Sequence, residues 1–354
     1  MRLIKPFSSV VLILLFFSCK KDKPATNFVA SHLSNGMVVL CEGLFQQNNS
    51  TVSWVDFTNS NVSNTLFLEK VGRQLGDTGN DIQQYGGKIY IVVNVSSTIE
   101  VIDANTFQTI QQIPMINGGV SKQPRSIVFH GSNAYVTCYD GFVDVIDTST
   151  FSITQRIQVG ANPEGMAISN NKLYVSNSGG LNFPNVDSTL SVIDLSTNAE
   201  LQKIVIGKNP SGVIADLQGE IYVINRGDQG AIPSSITRVD SQNDVVLSNY
   251  PINATHIVKM NNDFLIANYD YSTNLNTVSV FDPVNEVITN ANLIPSAGIT
   301  SLYGIHYNAI KNQIFISDAM NFTNSGYIRS YTSNGSHLQD YHVGLNPNKI
   351  VFYD

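Results

Sequence analysis

Three features of the chain predict an all-β fold built from repeated four-stranded sheets. The first is a returning phrase: Val101-Ile102-Asp103, Val145-Ile146-Asp147, Val192-Ile193-Asp194, Arg238-Val239-Asp240 and Val280-Phe281-Asp282, stepping by 44, 47, 46 and 42 residues. The second is the set of short runs rich in Val, Ile, Leu and Tyr around each copy, bounded by Asn, Gly, Ser or Pro as strands and turns are. The third is the lack of any sustained helical period beyond the N-terminal segment. Strands repeated every ~40–50 residues are the mark of a β-propeller.

The chain opens with Arg2 and Lys5, an apolar run over residues 10–17, then Ser18-Cys19. A basic start, a short apolar core and a small residue before the cut site predict a secretory signal over residues 1–18. The run is too short to span a bilayer. Leu15-Phe16-Phe17-Ser18-Cys19 resembles a lipobox, the cleavage site of bacterial lipoproteins, although Phe17 is bulkier than the usual residue there. That resemblance implies lipidation of Cys19, a polar tether over residues 19–34 beginning Lys20-Lys21-Asp22-Lys23-Pro24, and a soluble domain over 35–354 held to the membrane only through its lipid. The expected location is the cell envelope, on the outer membrane, facing the periplasm or the surface.

The propeller elements follow in order. The N-terminal part offers three strands, at residues 37–41, 52–56 and 66–68, with no partner strand before them. Blade 2 carries 88–91 and 99–103; blade 3 carries 123–127, 134–138 and 143–147. Blade 4 is the clearest, with strand A at 162–169, B at 172–177, C at 189–194 and D at 200–206, closed by Gly207. Blade 5 carries 209–213, 220–225 and 235–240; blade 6 carries 253–256, 264–268 and 278–282; blade 7 carries 302–305, 313–318 and 327–331. The C-terminus offers a strand A at 346–352 with nothing after it. Joined to the three N-terminal strands it completes one blade, so the prediction is seven four-stranded antiparallel blades, closed by the last strand. Closure removes the open edges of an unfinished array.

Composition narrows the function. The chain has 20 Lys and Arg against 27 Asp and Glu, and loss of Arg2 and Lys5 with the leader deepens the net charge from −7 to −9. Such a surface is poor for nucleic acid. Beyond the leader only Cys41 and Cys138 remain, in blades placed two apart, so no disulfide is expected.

Asn-Pro-x-Gly, then Leu173-Tyr174-Val175-Ser176-Asn177 or Ile221-Tyr222-Val223-Ile224-Asn225, then Val-Ile-Asp resembles the YVTN-type repeat of YncE-like propellers. The resemblance covers residues 36–354 and is best in blades 3 to 5. It implies a seven-bladed propeller and leaves function open. Relatives include sugar-acid lactonase-like proteins, nucleic-acid binders, surface-layer proteins and lipoproteins that pass corrinoids to an outer-membrane transporter.

Blade geometry places the D–A and B–C connections on one face. The tight A–B turns, such as Asn170-Asn171 and Asn261-Asn262, lie on the other. The B–C loops at 178–188, 226–234, 269–276 and 319–325 are long, and long loops on a rigid scaffold are where binding resides. Starts of strand A are expected to supply Gln83, Arg125, Glu164, Ser211, His256, Tyr303 and Lys349. Ends of strand B supply Asn94, Tyr139, Asp140, Asn177, Asn225, Arg226, Asn268, Tyr269 and Asp318, and the loops add Phe183, Asp228, Tyr271 and Phe322. Aromatic planes, amides and a few opposed charges suit a polar, partly apolar ligand. A sugar or a large heteroaromatic such as a corrinoid fits, although an Asn at a strand end also serves simply to cap a turn.

Tests for chemistry fail. No His pair has metal-ligand spacing with a third partner, and of the six His only His256 falls on the loop-rich face. No Gly-rich phosphate loop opens a helix. No cofactor is expected, and no catalytic residue is assigned. Glu164 and Asp318 are the two carboxylates expected near the channel mouth. The leading expectation is a lipid-anchored, non-catalytic protein that captures a small molecule or glycan. A docking module for an outer-membrane transporter, or an enzyme such as a lactonase, is the alternative.

Overall fold

The computed structural model describes residues 32–228 and 230–354. The expected leader and Cys19 lie outside the described residues. Seven four-stranded antiparallel sheets are arranged as blades, with one two-stranded hairpin besides. In blade 1 the C-terminal strand Pro347–Tyr353 is innermost, followed outward by Gly36–Cys41, Thr51–Asp56 and Val62–Ser63. The expected closure is therefore observed. Strand A of blades 2 to 7 is Gly79–Tyr85, Pro124–His130, Pro163–Ser169, Pro210–Ala215, His256–Met260 and Leu302–Asn308. These innermost strands touch in cyclic order, with Pro347–Tyr353 between blades 7 and 2.

The period-2 alternation of each strand explains why the runs read as continuously apolar: both faces of a blade are buried. In Lys88–Val93, Ile89, Ile91 and Val93 pack toward blade 1 with Val38, Leu40 and Trp54. Tyr90 and Val92 pack toward blade 3 with Ile127, Val136 and Ile146. The same division holds around the ring, giving one hydrophobic cluster at each of the seven blade interfaces. Trp54 is core, as expected, and meets Tyr353 edge-on at 5.5 Å.

The repeated motif residues have structural roles. The Asp ending each Val-Ile-Asp phrase caps the C–D turn: Asp147 Oδ1 accepts from the Ser149 and Thr150 backbone N–H groups at 2.9 and 2.7 Å. Asp103, Asp194, Asp240 and Asp282 make the same kind of turn. The Tyr of the Leu-Tyr-Val phrase reaches the next blade. Tyr135 Oη donates to Asn198 of blade 4, Tyr174 Oη to Ser241 and Asp244 of blade 5, and Tyr222 Oη to the Pro283 carbonyl of blade 6.

Two expected elements differ. Residues 66–68 are not a strand but part of a short helix, Leu66–Val71, closed by Gly72 in the left-handed region; the outer strand of blade 1 is Val62–Ser63. A three-residue apolar run carries no period, and here Leu66 and Phe67 fill the cluster beneath Trp54. In blade 6 the expected long loop at 269–276 is mostly strand: Asp263–Asp270 and Leu275–Asp282 extend as a hairpin closed at 271–274. Cys41 and Cys138 are buried and unpaired.

Candidate functional site

Loop lengths segregate by face. The opposite face carries two-residue A–B turns at 86–87, 131–132, 170–171 and 261–262. The funnel face carries the B–C loops at 42–50, 178–188, 226–234 and 319–324, the helix Leu66–Val71, and the hairpin of Ile116–Asn117 and Val120–Ser121.

The centre of that face is built by a recurring backbone device. In six blades the A–B pairing skips a residue just after strand A begins, leaving Asn80, Arg125-Ser126, Glu164-Gly165, Ser211-Gly212, Tyr303 and Asn348 unpaired. Such bulges re-aim side chains. In five of them the strand is preceded by a residue with positive φ: Thr78, Gln123, Asn162, Asn209 and Asn346. Asn tolerates that conformation best among residues with a side chain, which accounts for the Asn of the Asn-Pro phrase. Blade 6 departs from the pattern, pairing His256 regularly with Ala267.

This geometry corrects several sequence-derived positions. Gln83 lies three residues past the bulge of blade 2, paired in register with Tyr90; Asn80 takes its place. In blade 1 the bulged residue is Asn348, with Lys349 one step further along the channel. Asn177 and Asn225 are fully buried. Their amides bond hydroxyls of strand C, Thr189 and Ser191 in one case and Ser235 and Thr237 in the other. Asp318 is also fully buried, accepting from Arg329 and from the Thr300 and Ser301 backbone. Asp140 is exposed and paired with Arg156, and Asn268 is half-buried in regular pairing with Thr277. Asp228 closes its own loop, accepting from Gly230 and Ile232.

What remains is a funnel with two unlike halves. On the side of blades 2 to 4, Arg125 reaches Glu164 through Nε at 3.2 Å and Nη2 at 3.1 Å, and Asn80 Oδ1 at 2.7 Å. Its guanidinium lies over the Tyr139 ring at 4.7 Å, and Tyr139 Oη donates to Glu164. Burial works to raise Glu164, but the charges of Arg125 and Arg226 and the Tyr139 hydrogen bond outweigh it and hold the carboxyl low. Burial and then the Glu164 charge push the Tyr139 hydroxyl up. Ser211 is buried, its carbonyl bonded by Ser176 Oγ.

On the other side, Glu42 accepts from Tyr303 Oη at 2.5 Å and from Asn348 Nδ2 at 3.4 Å. Beside it Tyr269, Tyr271, Tyr303 and Phe322 form an aromatic cluster. Tyr271 meets Tyr269 edge-on at 4.6 Å and stacks on Phe322 at 6.2 Å. Tyr303 meets Phe322 at 5.9 Å. Tyr271 keeps 69% of its surface exposed. Two imidazoles sit deeper: His256, 3.0 Å from Thr255 Oγ1, and His306, whose Nε2 is 3.1 Å from the Asn348 carbonyl. Enclosure by the blades, and then the Lys349 charge, lower both to about 3. Both residues are nevertheless only half-buried.

Sequence reasoning missed Asn80, Glu42, Asn348 and His306. Glu42 is the first residue after strand B, the same position as Tyr139 and Arg226, and that alignment would have found it. Among the described residues no group of three His, Cys, Asp or Glu side chains is placed to hold a metal ion. No described helix is long and apolar enough to cross a membrane. A separate cleft of about 300 Å³ lies away from the funnel between 295–298 and blade 7, where Arg329, His337 and Asp340 satisfy one another.

These features define a closed seven-bladed propeller with an asymmetric polar and aromatic funnel on its loop-rich face. By sequence the chain belongs to the DUF5074 family, a domain of unknown function, over residues 35–353. No curated protein matches it in sequence. Among solved structures it is similar to a quinonprotein alcohol dehydrogenase-like protein from Bacteroides thetaiotaomicron, with a TM-score of 0.69, 14% identity, and coverage of 91% of this chain and 79% of that one. It is also similar to a functionally unknown protein from Desulfotomaculum acetoxidans, with a TM-score of 0.64, 14% identity, and coverage of 90% and 98%. Hydrazine synthase of Kuenenia stuttgartiensis matches with a TM-score of 0.60 and 17% identity over 74% of this chain and 85% of that one. At these identities the likeness concerns the fold.

Proposed function

We propose that the protein captures a small organic ligand or a glycan in the funnel, without catalysis, and is held in the cell envelope by a lipid on Cys19. The observation that carries the reading is the aromatic cluster of Tyr269, Tyr271, Tyr303 and Phe322, opening beside the bulge-presented polar residues. Rings with one free face and polar groups fixed by backbone geometry are what a sugar or a planar heterocycle requires. The lipobox-like Leu15-Phe16-Phe17-Ser18-Cys19 and the YVTN-like repeat favour a capture lipoprotein, with a corrinoid as one candidate ligand. Thermal-shift screening with cobalamins and neutral and acidic oligosaccharides tests the reading. A rise in Tm with one class supports it, and no shift with any class overturns it.

A second reading is favoured by the funnel rim. Phe45, Val120, Leu181, Phe183 and Ile232 stand exposed on its loops. Apolar tips of this kind suit docking on an outer-membrane transporter. Co-purification of a transporter after mild solubilisation, lost on changing Phe45 and Phe183 to Ser, supports docking; a solitary protein speaks for capture alone.

A further inference from the structure

The two halves of the funnel differ in how their charges are satisfied. Arg125 is fully engaged by Glu164 and Asn80. Arg226 and Lys349 are exposed, and neither side chain makes a hydrogen bond or ion pair among the described residues. They belong to blades 5 and 1, and blades 6 and 7 between them contribute His256 and His306. The contact of His306 Nε2 with the Asn348 carbonyl sets that imidazole at the depth of Lys349. The charges acting on His256 are those of Lys349 and Arg226, and Arg226 also acts on Glu164 across the funnel. Glu42, the acid on this side, is taken up by Tyr303 and Asn348. Arg226 and Lys349 are thus the funnel cations whose side chains no carboxylate pairs, in a chain whose net charge is −7. A local excess of positive charge inside an acidic protein attracts an anion and repels cations.

We infer that the half of the funnel formed by blades 5, 6, 7 and 1 receives an anionic group of the captured ligand, a carboxylate or phosphate, between Arg226 and Lys349, while Tyr271 and Phe322 face the ring that carries it. This rests on the capture reading and narrows it to an acidic ligand. The Asn348 carbonyl can only accept, so His306 donates its Nε2–H there and keeps Nδ1 as an acceptor, whereas His256 can donate Nε2–H to the anion when its Nδ1 accepts from Thr255 Oγ1.

Calorimetric titration of the protein with two matched pairs tests it: oligogalacturonate against its methyl ester, and glucose 6-phosphate against glucose. The expected result is that at least one acid binds about tenfold more tightly than its neutral partner. The preference should shrink as salt rises. Lys349→Met and Arg226→Gln should each cost about tenfold for the acid and little for the neutral partner. Whether oligogalacturonate or glucose 6-phosphate binds decides between carboxylate and phosphate. Equal binding of acid and neutral partner, or unchanged acid binding in both variants, overturns the inference while leaving capture standing. Binding of neither pair, together with a silent thermal-shift screen, overturns both.

Discussion

Single residues in this molecule are placed by the backbone more than by their own chemistry. The third residue of the Asn-Pro phrase was legible as a funnel residue at Glu164 and Ser211, because the phrase marks where the bulge falls. The same count gives Asn348 in Asn346-Pro347-Asn348, but a bulge adds one residue to a strict alternation, and Lys349 was placed there instead. Blade 2 lacks the Pro, with Thr78 holding the positive φ, so Asn80 carried no flag. Asn177, Asn225 and Asp318 illustrate the opposite error: polar residues at strand ends face inward here, bonding neighbouring hydroxyls and backbone. The deep imidazoles give this scale its prediction. An unfolded imidazole titrates near about 6.5, whereas His256 and His306 are lowered to about 3 by enclosure and then by Lys349, with Arg226 adding to the first and His256 to the second. A lowered folded value means the unfolded chain takes up the proton first. The stabilisation is therefore complete above about pH 6.5 and is lost as pH falls toward about 3. Between roughly pH 5 and 6.5 an ordinary carboxylate stays ionised. In that window Tm should fall for the native chain and stay nearly flat for the double variant His256→Gln, His306→Asn. Parallel curves would show that the imidazoles are not protected from protonation.

At the scale of elements, strands were legible wherever both faces are buried, since a continuous apolar run of strand length leaves little choice. The helix Leu66–Val71 was not, because one and a half turns show no period and its apolar residues read as another short strand. The extended hairpin of blade 6 was hidden by its polar composition, with Asn268, Asn274 and Asn276 inside or beside the strands. What the repeat does show is how blades are fastened. The Tyr hydroxyl of one blade ends on the C–D turn of the next, and Tyr174 satisfies two acceptors there. Tyr90, one blade earlier in the same position as Tyr135, has a buried hydroxyl with no partner. Tyr174→Phe should therefore lower unfolding stability by about 1–2 kcal/mol, and Tyr90→Phe should leave it unchanged or slightly raised. Urea denaturation of both variants measures this, and equal losses would mean that the hydroxyl bonds do not fasten the blades.

For the whole molecule, seven hydrophobic clusters at seven interfaces replace a single core, so stability depends on the ring being complete. Pro347–Tyr353 occupies two of those interfaces, giving Val351 to the cluster shared with blade 2 and packing Ile350 and Phe352 against the one shared with blade 7. Deleting residues 347–354 should lower Tm by on the order of 10 °C or more, or prevent folding. A truncated chain that melts with the intact one would show that the strand adds nothing to closure. The same strand has an effect on orientation. Gly36 lies opposite both Asp56 and Tyr353, so the chain comes into the ring and leaves it at one edge of blade 1, on the side of the tight turns. Leu33 is already tucked against Asn105 in the C–D turn of blade 2 on that side. Whatever is joined directly after Asp354, whether a fusion partner or a sensor chip, therefore attaches behind the ring, on the side away from the funnel.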